Sequence, residues 1–523
     1  MVFFLLSIQT LNYVIGSITL FLLCTLISIL WISPQKMKVK LERNGFSGPS
    51  PRFPYGNLFQ MTKKDTTSSP YLAAGTLHDI HAAVFPYFAR WRKSFGNIFV
   101  YWLGTEPFLY IADPEFLKQV TAGILGKQWG KPNVFKRDRK PMFGNGLLMV
   151  EGNDWTHHRH VISPAFSMTN LNTMIGLMEE NTNKMLEQWT NLVLSGQREI
   201  DVEKHVIENA AEIIAKTSFG INEENGKKVF EKLRAMQAML FKTNRLVGVP
   251  FSKFLHLKQS YDAWKLGKEI DELLLAVIKS RRRRQRCSDA AQQENDLLGL
   301  MLAGCDEKAT QERRLTTREL VDECKTFFFG GHETTALAIS WTLLMLALHP
   351  DWQSTLREEV MEATQSSGEL TSDLLSRLTK MGWVLNEVLR LYSPAPNVQR
   401  QAREDIRIAS GDKVIPKGTN MWIDVVAMHH DPALWGPDVF QFRPERFADS
   451  IHGGCKQRMG FLPFGFGGRI CVGRNLTITE YKLVLCLILR KFQLSVSPAY
   501  QHEPKIMLSL RPANGIQLIL TPL

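Results

Sequence analysis

No charged side chain occurs between Met1 and Gln35, and Val2 to Ile32 is dominated by Phe, Leu, Ile and Val. A run of that length crosses a bilayer with some tilt. Trp31 stands at its far end, where interfacial aromatic rings are favoured, and Lys36, Lys38, Lys40 and Arg43 follow. Positive charge on that side predicts that everything downstream faces the cytosol. A cleavable signal peptide is the rival reading, but it carries a basic start, a shorter apolar core and a small-residue cleavage site. This segment fits that pattern poorly, and residues 1–33 read as an uncleaved transmembrane anchor. No later run of about eighteen uncharged apolar residues follows, so a single span is expected.

Residues 34–57 read as a basic, Pro/Gly-rich hinge. Within it, GFSGPSPRFPYGN (45–57) holds three prolines and three glycines and cannot continue a helix. Such a hinge fixes how the following domain sits on the membrane. Residues 58–523 read as one large domain, mainly α with a small β-sheet (α+β). Amphipathic stretches near 168–195, 201–218, 226–242, 258–285 and 317–348 predict long helices. NIFVYWLG (97–104) and FLYIAD (108–113), with a turn at Glu106 and Pro107, predict a β-hairpin. VIPKGTNMWIDVVAMH (414–429) reads as a further strand segment. No repeat of solenoid period is visible.

Hydrophobic residues form 44% of the 523, enough for a sizeable core. The net charge of +12 suits an acidic partner protein, an anionic membrane face or nucleic acid. Its densest run, KSRRRRQR (279–286), precedes a polar linker, CSDAAQQEND (287–296), and reads as a solvated surface loop. Neither an aromatic-interleaved basic platform nor finger spacing supports a nucleic-acid site. The seven cysteines are odd in number and contain no C-x-x-C pair. That usage fits a reducing compartment and argues against a disulfide framework or a Cys-rich zinc site.

FFFGGHETTA (327–336) offers His332 and Glu333 as half of a zinc-binding H-E-x-x-H, but the second His position is Ala336, so the zinc reading fails. The stretch lies between a capping-box signal at Thr316 to Glu319 and Pro350. That interval predicts a helix of roughly thirty residues, about 45 Å long, apolar on nearly all faces and running through the middle of the fold. Gly330 and Gly331 each cost about 1 kcal/mol against Ala in a helix interior. Paired, they point to close approach of something to the backbone. An acid beside alcohols, Glu333 with Thr334 and Thr335, can relay protons to a bound oxygen species. A plain glycine kink with satisfied hydroxyls is the alternative at this point.

PFGFGGRICVG (463–473) surrounds Cys471 with glycines. Gly465, Gly467 and Gly468 permit positive φ, and backbone N–H groups can point at a thiolate and hold it as an anion. Arg469 adds positive charge, for a carboxylate or for the thiolate. The apolar, helically spaced residues after Gly473 place the sulfur at a helix N-terminus, which also favours negative charge.

Phe464, Gly467, Arg469, Cys471 and Gly473 stand as F-x-x-G-x-R-x-C-x-G, which resembles the haem-binding loop of the cytochrome P450 monooxygenases. The resemblance implies the cytochrome P450 fold with an N-terminal transmembrane helix, haem b as cofactor, and Cys471 as axial ligand of the haem iron. It covers nearly the whole chain. Glu387 and Arg390 match the family's E-x-x-R helix, and Arg446 in FRPERF is expected to complete a buried Glu–Arg–Arg network. Trp155 and Arg159 match W-x-x-x-R, which binds a haem propionate, and Arg400 matches a second propionate-binding arginine. GGHETT matches the distal-helix motif. On that match, Gly330 and Gly331 make room for dioxygen, Glu333 and Thr334 deliver protons, and His332 packs the helix or links to solvent. Ser393 and Thr477 depart from the usual Pro and small apolar residue, and the sequon at Asn475 lies where glycosylation is not expected.

The family match implies a hydroxylating monooxygenase that takes electrons from an NADPH-cytochrome reductase, in the endoplasmic reticulum membrane with the catalytic domain cytosolic, and without nucleic acid. A haem-thiolate isomerase or dehydratase, or a haem protein that does not activate O₂, is the alternative. Such members tend to lack the acid–alcohol pair that this chain keeps. The distal-helix region and NGIQLILTPL near the C-terminus look like the plant clan of cytokinin hydroxylases and gibberellin, brassinosteroid, fatty-acid and triterpenoid oxidases. By family position the pocket is lined near 125–147, 235–255, 326–335, 394–399 and 511–515, largely apolar with Asn397 and Gln399 as polar anchors. That lining suits an isoprenoid or fatty acyl substrate.

Overall fold

Thr316 Oγ1 accepts the Glu319 backbone N–H at 3.2 Å, and Glu319 Oε2 accepts the Thr316 backbone N–H at 2.7 Å. This capping box starts a helix of 32 residues, Thr317–Leu348, where the sequence placed one. From Leu320 to Ala347 every residue of it is buried except Gly330, Gly331 and Thr334. It forms the spine of the domain, packed along Val202–Phe219 and flanked by Leu257–Cys287, Thr379–Leu391 and Arg474–Lys491. The computed structural model describes residues 2–62, 78–122, 129–220, 223–242, 246–287, 296–303, 315–365, 369–408 and 413–523.

Strands β1 (Ile98–Leu103), β2 (Glu106–Ile111), β3 (Trp129–Gly130), β4 (Asn397–Ala402) and β5 (Asn420–Asp424) form the larger sheet, in the order β1-β2-β5-β4-β3. Phe99 and Tyr110 face each other across β1 and β2 with rings stacked at 4.4 Å, a cross-strand pair that fixes register. The hairpin turn is not at Glu106 and Pro107, which already belong to β2; Leu103 pairs with Glu106, leaving Gly104 and Thr105 as the turn. Gly104 has φ +61°, and a Cβ there would meet the Gly248 backbone at 2.1 Å, so glycine chemistry outweighs the Pro signal. The segment 414–429 is also broken. Val414–Ile415 and β5 are strands, and Val425–His429 is helical, started by the Asp424 side chain accepting the Ala427 N–H at 2.9 Å.

Among the described residues one helical span, Thr10–Arg43, is long and apolar enough to cross a membrane. Helix continues through Ser33–Arg43, so the first part of the expected hinge is helical; Pro34 is met just after a π-helical turn, Ser28–Ile32. The irregular part begins at Asn44. Asn57 then locks the chain to β1: its backbone N–H donates to Trp102 O at 2.9 Å and its Oδ1 accepts the Trp102 N–H at 2.8 Å. The basic run 279–286 belongs to Leu257–Cys287 rather than to a loop, and Arg281 is buried, donating to Phe219 O at 3.1 Å and pairing with Asp296. Most of the linker expected at 287–296 (288–295) lies outside the described residues, as do 125–128 and 243–245 of the expected pocket lining.

Candidate active site

The loop before Arg474–Lys491 is closed by its own backbone: Cys471 N donates to Phe464 O at 2.9 Å and Ile470 N to Gly467 O at 3.1 Å. Gly465 and Gly467 take φ of +75° and +62°, which makes this tight turn possible; Gly468, expected to do the same, does not. Cys471 is exposed although its surroundings are dense enough that burial pushes its thiol up. The Gly473 N–H, Arg159 and Arg474 oppose that rise without cancelling it. For the thiol on its own, desolvation outweighs these donors. Arg469 is not among the charges acting on Cys471. It donates to Val150 O at 3.0 Å and lies 4.7 Å over the Trp155 ring.

Helix Gly152–Ile162 presents Trp155 and Arg159 one turn apart on the face that meets this loop. Arg159 Nη1 donates to Ile470 O at 2.9 Å. From β4, Arg400 Nη1 donates to the Gln399 carbonyl at 2.9 Å, and its guanidinium lies 5.6 Å over Phe466. Arg400 forms no carboxylate pair among the described residues, and burial with the field of Arg469 lowers it to about 9. Lys131 joins the group: burial, then Arg400, Arg139 and Arg469, hold its amine well below the usual value. Sequence reasoning missed Lys131, which sits in no motif. A buried arginine repelled by neighbouring cations suits a site for a group bearing carboxylates.

Opposite them, the central helix opens. A Cβ on Gly330 would meet nothing within 4 Å, and Thr334 Oγ1 donates to Gly330 O at 3.0 Å. Gly331 does not open the gap; a Cβ there would strike Ile214 Cδ1 at 2.6 Å, so this glycine makes room for the neighbouring helix. Thr335 and Thr477 bring their hydroxyls to 3.2 Å and join the central helix to the helix after the cysteine loop. Gly330 in the central helix and Cys471 at the tip of its loop are thus each open, and the gap beside Gly330 is a break in an otherwise buried helix.

Glu333 is buried and turned away from that gap. Its Oε1 accepts Gln237 Nε2 at 2.9 Å and Ser509 Oγ at 2.6 Å, with Arg511 Nη1 at 3.8 Å. Burial raises this carboxyl, but Arg511, His332 and the two hydrogen bonds together outweigh it and hold Glu333 below its ordinary range. Gln237 and Arg511 fall in the expected lining stretches 235–255 and 511–515, but their partnership with Glu333, and Ser509 itself, were not legible in the sequence. His332 packs as expected, with Nδ1 2.6 Å from Phe328 O and its ring edge-on to Phe230. The expected polar anchors are tied to a third residue: Arg139 Nη1 donates to Gln399 Oε1 at 3.2 Å, and Gln399 Nε2 to Asn397 Oδ1 at 2.8 Å. Arg139 also lies over the Phe135 and Phe241 rings.

Glu387 and Arg390 form a fully buried two-pronged pair, both contacts at 2.7 Å. Arg446 is less tightly held than expected, with Nε 3.5 Å from Glu387 Oε1, and its stronger partner is Asp438 at 2.8 Å.

Comparison with known proteins places these residues in context. The cytochrome P450 family model matches residues 67–520. Cytokinin hydroxylase of Arabidopsis thaliana is 36% identical over 501 residues, covering 95% of each chain. Cytochrome P450 714C2 of Oryza sativa subsp. japonica is 35% identical, covering 95% of each chain. Cytochrome P450 734A1 of Arabidopsis thaliana is 35% identical over 93% of this chain and 92% of its own.

Proposed function

The chain belongs to the cytochrome P450 family and is a monooxygenase, and from that premise we propose that it uses haem b to hydroxylate an apolar small molecule. The substrate classes are an isoprenoid hormone such as a cytokinin or gibberellin, another terpenoid, or a fatty acid. The overall reaction is RH + O₂ + NADPH + H⁺ → ROH + H₂O + NADP⁺, with electrons arriving from an NADPH-cytochrome reductase. The observation that carries this reading is the exposed Cys471 on its closed loop, braced by Arg159 on the Ile470 carbonyl, together with buried Arg400, which has no carboxylate partner among the described residues.

The residues present fit a haem. Cys471, on the open tip of a loop whose shape Phe464 and Gly467 set, would hold the iron. Trp155, Arg159, Arg400 and Arg469 would take the propionates, which would give buried Arg400 a counter-charge it does not have among the described residues. When bound, the haem iron supplies dioxygen activation. Gly330 leaves space beside the backbone at that position. The Gly330 carbonyl accepts the Thr334 hydroxyl, which would pass on a proton from there. Glu333 holds the neighbouring anionic site, and release from Gln237 and Ser509 lets it turn toward Thr334. Glu387, Arg390 and Arg446 fix the segment that leads into the cysteine loop.

We place the protein in the endoplasmic reticulum membrane as a single-pass anchor (1–33) with a hinge (34–57) and a cytosolic catalytic domain (58–523). The apolar span and its basic flank support this. So do Phe254, Leu255, Leu257, Tyr261 and Trp264, all at least half exposed beside Lys253, Lys258 and Lys265. A cytokinin heads the substrates to test because of the 36% identical relative. The test is a haem-spectrum titration of yeast microsomes carrying the protein with cytokinins, gibberellins, brassinosteroids, fatty acids and triterpenes in turn. A saturable low-spin to high-spin shift with one class identifies the class that enters; no shift with any, on an intact thiolate–haem spectrum, rejects all of these substrates together.

A further inference from the structure

The carboxylate of Glu333 is occupied on the far side of the central helix, so proton supply to Thr334 needs an entry from solvent. The same helix carries a second polar series. Successive residues turn by about 100°, so Glu319, Glu323, Thr326, Gly330 and Thr334 share one face, over roughly 22 Å. Glu319 is 34% exposed at the start of this series and Glu323 is wholly buried.

His158 joins these two carboxylates from the facing helix. Its Nε2 lies 3.5 Å from Glu319 Oε1 and its Nδ1 lies 2.5 Å from Glu323 Oε1. An imidazole between an exposed and a buried carboxylate can take a proton on one nitrogen and give one from the other. The other oxygen of Glu323, Oε2, has no hydrogen-bond partner among the described residues, and neither has Thr326 Oγ1. The Leu147 N–H lies near Glu323 without completing a hydrogen bond. Gly146 passes so close that a Cβ there would stand 2.2 Å from Thr326 Oγ1. Glu319, Glu323 and Thr326 are three or four residues apart, about 5–6 Å between Cβ atoms, a span one water bridges; Thr326 and Thr334 are eight residues, about 12 Å, apart across Gly330 and need a short chain of waters.

We propose that Glu319, His158, Glu323 and Thr326 form a proton-entry route along one face of the central helix, delivering protons from solvent to Thr334. The proposal rests on the reading of Thr334 as the proton-handing group. One proton enters at Glu319 for each that leaves at Thr334, passing through Nε2 and Nδ1 of His158, then Glu323, then water and Thr326. Electrostatics favour sharing. Burial opposes charge on His158, but the Glu323 hydrogen bond and the fields of Glu323 and Glu319 raise it. Burial also raises Glu323, against the pull of His158 and with Asp322 adding to the rise.

The test uses the full-length haem protein with its reductase, in three variants: Glu323→Gln, Glu319→Gln and Thr334→Ala. Gln at 319 keeps the capping box while removing the titratable carboxyl. The expected result is that Glu323→Gln and Glu319→Gln each shift the partition from product toward hydrogen peroxide by about tenfold and enlarge the solvent deuterium isotope effect. A readout independent of turnover is the infrared difference spectrum on reduction. Wild type shows a neutral carboxyl band that shifts in D₂O; Glu323→Gln loses it, and Glu319→Gln slows its shift. The CO-bound thiolate spectrum reports that each variant keeps its haem. If Thr334→Ala releases peroxide while neither Gln variant changes partition or band, the route is wrong and the Thr334 reading stands. If Thr334→Ala leaves partition unchanged, both fall. Should Glu323→Gln fail to fold, Glu319→Gln decides alone.

Discussion

Arg159 Nη1 holds the carbonyl of Ile470, the residue before Cys471, at 2.9 Å across 311 positions of sequence. One guanidinium therefore braces the cysteine loop and, on the proposed reading, would also face a haem propionate. A hydrogen bond from a charged donor contributes about 1.5–3 kcal/mol. Arg159→Leu is expected to lower the Soret-to-protein absorbance ratio and the thermal midpoint together. Arg159→Lys is expected to recover only part, because a single ammonium cannot span both partners.

The two glycines of the central helix separate by mutation. Gly331→Ala overpacks against Ile214 and is expected to cost about 1–3 kcal/mol. Gly330→Ala meets nothing and is expected to raise helix stability by about 1 kcal/mol while narrowing the gap. Thermal midpoints should move in opposite directions, and CO-binding rates should fall only for Gly330→Ala among variants that retain haem.

Arg390→Leu leaves the Glu387 carboxylate buried without its two-pronged partner. The expected loss is about 3–5 kcal/mol, read as failure to accumulate folded protein or as a collapsed denaturation midpoint.

Arg511 sets the acid limit of Glu333. A carboxyl held below its unfolded value of 4.5 stabilises the fold at higher pH, and that contribution disappears as pH falls through the depressed value. Arg511→Leu lets the carboxyl rise, so the loss begins at higher pH. Glu203, the other Arg511 partner at 2.6 Å, loses its cation in the same direction. The gap in thermal midpoint between wild type and Arg511→Leu should be widest near neutrality and close toward about pH 4.

Cys471→Ala is expected to abolish the thiolate–haem spectrum, which a CO difference spectrum of the reduced protein reads directly; its retention would remove Cys471 as the ligand.

What was legible in the sequence was local. The capping box at Thr316, the glycines around Cys471, and Glu387 with Arg390 lie within a few residues of each other, and turn or helix geometry brings them together. What was not legible joins distant segments. Gln237 and Ser509 reach Glu333 across 96 and 176 positions, and His158 reaches Glu323 across 165. Lys131 was invisible because its meaning lies in the other cations packed beside it. The hairpin turn was misplaced because Pro107 gives a strong signal, whereas the need for glycine at 104 comes from Gly248, far along the chain.

The double hold of Asn57 on Trp102 has a mechanical consequence. A tether of loose chain would let the catalytic body swivel freely under its anchor. Here Leu41 and Phe46 are buried, the Asn44 side chain accepts the Val414 N–H at 3.2 Å, and Asn57 is bonded into the sheet edge. Torque applied to the anchor is passed to the sheet rather than absorbed. If Thr10–Arg43 spans a bilayer as proposed, a thickness that changes its tilt would rotate the whole domain with it, making membrane thickness a mechanical input to its orientation.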